Sequence, residues 1–380
     1  MCMIFCADSE KVKRAPWSSF PDSEAPVMEK RRRKMTAREN ILRAYRHEKT
    51  AWVPSQILDQ DTCLPSCVPE GPAGFGTTVD AFGVSWTFEK GMPGPMVTVG
   101  TQLLADISQW REAVKFPDPA AYDWEGGAAR DTAKWDRTNK IQSVIVVDGL
   151  FEQLHAMTGI EDALCYLLTD PEETGALLDA VADYRIREIG LIAKYYRPDK
   201  IQMHDDYGTN NRMFMSLDTW RELIKPRLKR IIDAVHGLGM IYEHHSCGYV
   251  APMIEDFIEL GIDGLNPLQL TNNPYELKEK YGDKLCFVGG FDNQGVLDRQ
   301  GVTYQERYDE IMYRLKLMGP GGNWVAHPTM VDPAISEPLI DALYEYNAPL
   351  WEKAGYNPPP KPNALKKTVY AQADSEKGGK

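Results

Sequence analysis

Long apolar runs are absent. No stretch reaches the roughly 18 consecutive residues that read as a membrane span, and the opening MCMIFCADSEKVKR lacks the basic, apolar and small-residue order of a secretion signal. The expectation is therefore a soluble, cytoplasmic protein with no membrane partner. Cysteine is scarce: seven residues at 2, 6, 63, 67, 165, 247 and 286 are too dilute and irregular for a disulfide framework, leaving reduced thiols or a metal site. Positive charge is in deficit, with 43 Lys and Arg against 55 Asp and Glu and a net charge of −12, which argues against a nucleic-acid partner. The one basic run, Lys30 to Lys34, reads as a solvated tail segment. No Gly-x-Gly-x-x-Gly follows an apolar run, so a dinucleotide fold has little support.

What is present is a core-forming pattern, with 43% hydrophobic residues in a chain of 380. Residues 1–34 alternate Pro, Ser and charge without a period, which predicts a flexible N-terminal arm or one that clasps a partner subunit. Thr36 and Glu39 have capping-box spacing ahead of Ile41, Leu42 and Tyr45, predicting a helix over 36–48. From residue 141 short apolar runs alternate with capped amphipathic helices. Strands are expected at Ser143–Gly149, Lys200–His204, Met240–His245, Asp263–Pro267, Leu285–Gly289 and Asn323–His327, with an earlier one at Trp52–Leu58. Helix starts are marked by Asp170-Pro171, Ser216 and the Thr303/Glu306 pair. An eighth strand is expected in the stretch 65–100, near Met96–Val99. This rhythm predicts an α/β fold, a single (β/α)8 barrel over residues 35–356 with an N-terminal arm (1–34) and a C-terminal tail (357–380). Two smaller domains are the alternative.

In such a barrel reactive groups sit at the C-terminal ends of the strands, and several of those ends are polar here. His245 and Cys247 are alternate residues on one strand, share a face, and pair two ligand types suited to zinc. A core histidine beside a free cysteine would look the same. A third ligand must come from elsewhere: His327 is the natural candidate, with Glu243 or Asp205 behind it. Adjacent Asp205 and Asp206 must point opposite ways on a strand, so one is expected to face the mouth as an acid or base and the other to brace a helix N-terminus. Asp205 is taken for the mouth and Asp206 for the brace. Asp292 and Gln294 at another strand end are candidates for orienting substrate or moving a proton, and Met203, Tyr207, Asn266 and Gln269 for lining its pocket. Each of these has an ordinary structural reading as core or loop residue.

The segments Met35-Thr-Ala-Arg-Glu-Asn-Ile-Leu-Arg-Ala, Val53-Pro54, Asp205-Asp206-Tyr-Gly-Thr, His245-Ser-Cys-Gly, Gly261-Ile-Asp-Gly-Leu-Asn-Pro-Leu-Gln269 and Gly289-Gly-Phe-Asp292 together resemble the uroporphyrinogen decarboxylase-like superfamily. That superfamily also holds zinc- and corrinoid-dependent methyltransferases, and this chain is more similar to their branch. True uroporphyrinogen decarboxylases carry an arginine-rich segment after the first strand, where Pro54-Ser-Gln-Ile-Leu-Asp-Gln-Asp-Thr62 has no arginine, so a polyanionic porphyrinogen would meet little compensating charge. The resemblance implies a methyltransferase that moves a methyl group from a small methylated donor, such as a methoxylated aromatic, to a corrinoid (cobalamin) on a separate protein. Zinc would sit on His245 and Cys247, with His327 where the branch has a later cysteine. A methylcobamide:thiol methyltransferase and a cofactor-free decarboxylase or lyase are the alternatives, and a homodimer is plausible.

Overall fold

The computed structural model describes residues 35–69, 75–90, 92, 94–328 and 333–362; the expected N-terminal arm and the tail beyond Pro362 lie outside them. Seven parallel strands form one curled sheet in the order β1 (Gln60–Cys63), β5 (Ile141–Val146), β6 (Lys200–His204), β7 (Ile241–His245), β8 (Gly264–Leu268), β9 (Cys286–Gly289) and β10 (Trp324–Val325). Three more strands, β2 (Gly76–Val79), β3 (Ser85–Phe88) and β4 (Met96–Val97), make a separate antiparallel sheet inserted between β1 and β5. An isolated parallel bridge joins Ser55, just ahead of β1, to Ala326 at the far edge of the large sheet. Among the described residues no helix is long and apolar enough to cross a membrane.

Two expected strands are corrected. The run Trp52–Leu58 is not a continuous first strand: its pairing is limited to the Ser55 bridge to Ala326, Gln56–Asp59 forms a helical turn, and the strand that pairs with β5 begins at Gln60. Local polar bonds win there, because Ser55 Oγ accepts from the Ile57 amide and the Asp59 carboxylate accepts from the Ser55 amide. The stretch near Met96–Val99 adds no eighth strand to the large sheet; it pairs with β3, and Val99 is 97% exposed. The Asp80 carboxylate, which accepts from the amides of Phe82 and Val84, shapes the turn that folds β2 onto β3.

The helix Ala37–Tyr45 starts where Thr36 accepts from the Glu39 amide. Its apolar face, Ile41, Leu42 and Tyr45, packs on Ile141, Cys286 and Val325 and closes the N-terminal end of the sheet. Burying Ile41 completely contributes about 1.5–3 kcal/mol. On β6, Ile201 and Met203 join Tyr242, Val181, Trp220 and Phe257 in the main core between sheet and helices. Lys200, Gln202 and His204 alternate with them and face the sheet's interior, where Lys200 Nζ meets Glu243 Oε1 at 2.8 Å with both side chains fully buried. The interior is therefore a polar column, and its phase sets the site. The described start of the tail folds back on the last helix: Tyr356 stacks on Trp52, and Tyr344 OH donates to the Pro359 carbonyl.

Candidate metal centre at the strand ends

Strand alternation carries the interior phase of β6 past its end to Asp206 and that of β7 through Glu243 and His245 to Cys247. These three side chains form the one group among the described residues whose nitrogen, sulfur and carboxylate atoms could hold an ion, all lying within 4.8 Å of one another. His245 Nε2 is 3.5 Å from Cys247 Sγ and 3.9 Å from Asp206 Oδ1, and the Cys247 amide donates to Asp206 Oδ1 at 2.7 Å. The loops after β6 and β7 touch backbone to backbone, with the Tyr249 amide donating to the Thr209 carbonyl. Glycine is required at that crossing: a Cβ on Gly248, whose φ is +80°, would lie 2.1 Å from the Gly208 carbonyl oxygen.

Zinc bonded at about 2.0–2.3 Å in a tetrahedron keeps its ligand atoms roughly 3.3–3.8 Å apart, so the spacing and the donor set of imidazole, thiol and carboxylate fit it. His245 Nδ1 is engaged at 3.1 Å by Asn266 Oδ1, leaving Nε2 toward the cluster. Burial holds His245 below the usual histidine range, with Asp206 and the Asn266 contact acting the other way, so its ring is neutral and has a lone pair to offer. Burial, and then the charges of Asp206 and Glu152, push the Cys247 thiol up. A ligand-bearing cation is what would draw that proton off.

Further groups crowd the same place. The imidazole of His204 stacks on that of His245, centroids 3.9 Å apart. Glu152 Oε1 accepts from the Asp206 amide at 3.3 Å, and burial followed by the charge of Asp206 pushes its carboxyl well above the ordinary range. His155, held down to about 4 by burial against the pull of Asp206, stacks edge-on to Phe151, which also meets Phe214.

The aspartate assignment is reversed from the sequence expectation. Asp205 is fully buried, and its carboxylate accepts from the amides of Leu150 and Glu152 and from Tyr207 OH; it braces the N-terminus of the helix Leu150–Thr158. Gly149 leaves room for this, since a Cβ there would meet the Asp205 side chain at 2.6 Å. Asp206 faces the cluster instead. Met203 and Tyr207 are fully buried in the main core. His327 is outside the three-residue group: its Nδ1 is buried without a hydrogen-bond partner, and burial holds the ring down to about 4. Asp292 caps the helical turn Asn293–Leu297 through the Gly295 and Val296 amides. Gln294 is exposed, near Asn210. Gln269 Oε1 accepts from the Gly248 amide and steadies the Cys247 loop, while Asn266 supports His245. Asp206 was legible from the phase of β6: Ile201, Met203 and residue 205 share the helix side, whereas Gln202, His204 and residue 206 share the interior. Glu152 and His155 carried no such signal, because they lie on a helix that only tertiary packing brings to the cluster.

A curled parallel α/β sheet with an imidazole, a thiol and a carboxylate gathered beyond its C-terminal strand ends defines a barrel-like protein with a candidate metal centre at those strand ends. More particularly, the family model described as uroporphyrinogen decarboxylase (URO-D) matches residues 75–326, and the chain belongs to that family. No curated protein matches it in sequence. Among solved structures it is similar to a methyltransferase from Methanosarcina mazei, with a TM-score of 0.59 and 15% identity over 82% of this chain and 99% of that one. At that identity the likeness establishes the fold. A dihydropteroate synthase from Anaplasma phagocytophilum matches at a TM-score of 0.31 and 17% identity, over 49% of this chain and 71% of that one, too low to carry an argument.

Proposed function

We propose that this protein is a methyltransferase that removes a methyl group from a small methylated donor, a methoxylated aromatic being the first choice, and passes it to a corrinoid carried by a separate protein. The observation that carries this reading is the Asp206, His245 and Cys247 cluster. The likeness of fold to the Methanosarcina mazei methyltransferase supports it. Asp206, His245 and Cys247 would hold zinc, with Asp206 taking the place first given to His327. When bound, the ion supplies Lewis acidity to the heteroatom that the methyl group leaves.

The remaining chemistry belongs to the chain's own residues. Asn266 and the stacked His204 hold the His245 ring in place. His155 and Phe214, both partly exposed and backed by the buried Phe151, offer an aromatic wall for the donor. Glu152, whose carboxyl burial and then the charge of Asp206 push well above the ordinary range, would give a proton to the departing oxygen from its carboxyl group. That role moves to it from Asp205, whose oxygens are already occupied. Gln294, exposed near Asn210, remains a contact for donor or partner.

The test is metal analysis of the purified full chain beside His245→Ala, Cys247→Ala and Asp206→Ala, with thermal unfolding as the control for folding. About one zinc per chain, lost in all three folded variants, is expected, and reduced cobalamin with a methoxylated aromatic should then yield methylcobalamin. Protein that takes up no zinc when offered it overturns the reading. Turnover of a carboxylated substrate unaffected by chelator would favour the cofactor-free decarboxylase.

A further inference from the structure

The two nitrogens of a neutral imidazole are chemically different, and which one carries the hydrogen is set by what the other side of the ring meets. His245 Nδ1 lies 3.1 Å from the Asn266 side-chain oxygen. An amide can be turned end for end, so this contact alone leaves the tautomer open. The direction is decided farther away. Asn266 Nδ2 donates to Gln56 Oε1 at 3.2 Å, and Gln56 Nε2 donates to both oxygens of Glu243, at 2.9 and 2.8 Å. Glu243 is an acceptor at every contact: Lys200 Nζ reaches its Oε1 at 2.8 Å and Tyr45 OH donates to its Oε2 at 2.5 Å. Gln56, Glu243, Asn266 and Lys200 are all at least nine-tenths buried, so turning Gln56 would set its oxygen against the carboxylate, and turning Asn266 would set its oxygen against that of Gln56, without water to relieve either clash.

We propose that Gln56 and Asn266 are positioning residues that transmit the polarity of the buried Glu243 carboxylate to His245 and hold it as the Nδ1–H tautomer. Glu243 can only accept, so Gln56 must present its NH2 to Glu243 and its oxygen to Asn266. Asn266 must then present its NH2 to Gln56 and its oxygen to His245. The Nε2 lone pair is thereby aimed at Cys247 and Asp206 before any ligand arrives. This deepens the metal reading above, in that a ring with hydrogen on Nε2 could not ligate there without first changing tautomer.

The experiment uses the full chain labelled with 15N in histidine and freed of metal with chelator. His245 signals are assigned by their loss in His245→Gln, and long-range 1H–15N correlation reads which ring nitrogen bears hydrogen. The expected spectrum shows Nδ1 protonated and Nε2 not. Gln56→Leu should produce a mixture of tautomers and weaken zinc binding by about 10–100-fold, and adding Asn266→Asp to it should restore Nδ1–H, because a carboxylate accepts without instruction. Protonated Nε2 in the wild type overturns the proposal, as does an unmixed Nδ1–H form in folded Gln56→Leu. If Gln56→Leu does not fold, the wild-type spectrum still decides the tautomer and Asn266→Asp alone must preserve it. Nδ1–H with no zinc uptake supports this inference and overturns only the metal reading; Nε2–H with zinc bound does the reverse.

Discussion

Neighbouring residues on a strand point to opposite faces, so Asp205 and Asp206 meet different surroundings although they differ by one position. Asp205 accepts from two helix amides and a tyrosine hydroxyl, whereas Asp206 is partly exposed and faces a thiol and an imidazole. Their substitutions should separate cleanly. Asp205→Ala removes a helix cap and leaves buried donors unmet, so it should cost about 2–3 kcal/mol in chemical denaturation. Asp206→Asn keeps an oxygen for the Cys247 amide and should change stability by no more than about 0.5 kcal/mol, yet weaken zinc uptake. Equal loss of stability in both would mean that Asp206 is a structural residue.

At the scale of elements, the helices Leu217–Leu223 and Lys225–Gly237 are tied to the helix Ile254–Leu260 by one carboxylate. Asp256 accepts from Arg221 at 2.9 Å and from Lys225 at 2.7 Å. Burial alone would raise its carboxyl, but the hydrogen bonds from Arg221 and Lys225 outweigh this and hold it below the usual range. A carboxyl depressed on folding adds stability above its unfolded value, near 3.9, that is lost as pH falls through the folded one. Arg221 is about half exposed, so screening keeps the contribution to about 1–2 kcal/mol. Asp256→Asn should therefore be less stable than wild type by that amount at pH 6–7, with the difference vanishing toward pH 2–3. Denaturation curves across that range check it, and a gap that persists in acid would point to packing.

Across the whole molecule, the polar column inside the sheet has one consequence for stability and another for the site. Lys200 and Glu243 are fully buried, and removing one partner strands the other charge. Glu243→Leu alone should cost about 3–5 kcal/mol, and most of that should return in Lys200→Met with Glu243→Leu, which removes both charges. Denaturation of the single and double variants measures this, and a double variant no more stable than the single would show that the column's hydrogen bonds outweigh its charges. The stable double variant should still bind zinc more weakly, because Gln56 would have lost the acceptor that orients it.

Much of this architecture was legible in the chain. Lys200–His204 is a strand as read, Thr303 and Glu306 form the capping box their spacing announced, and His245 and Cys247 share a face because alternation is local geometry. The first strand was not legible, since Ser55 and Asp59 make a helical turn from side-chain bonds that outweigh the run's β-propensity. Among the described residues the large sheet has seven strands where eight were expected, because the stretch near Met96–Val99 pairs with β3 in the small sheet instead.

What the sequence determined by itself was the alternation of strands and helices, and the pairing of an imidazole with a thiol two residues away. Which carboxylate joins them was decided only in the tertiary structure. Asp206 and Cys247 stand 41 residues apart and meet because two loops cross where Gly208 and Gly248 leave no room for side chains. Residues 56, 243 and 266 come together only once the parallel sheet is curled. Such contacts have no local signal, because the spacing between them along the chain is set by helices whose lengths answer to packing on the outer face.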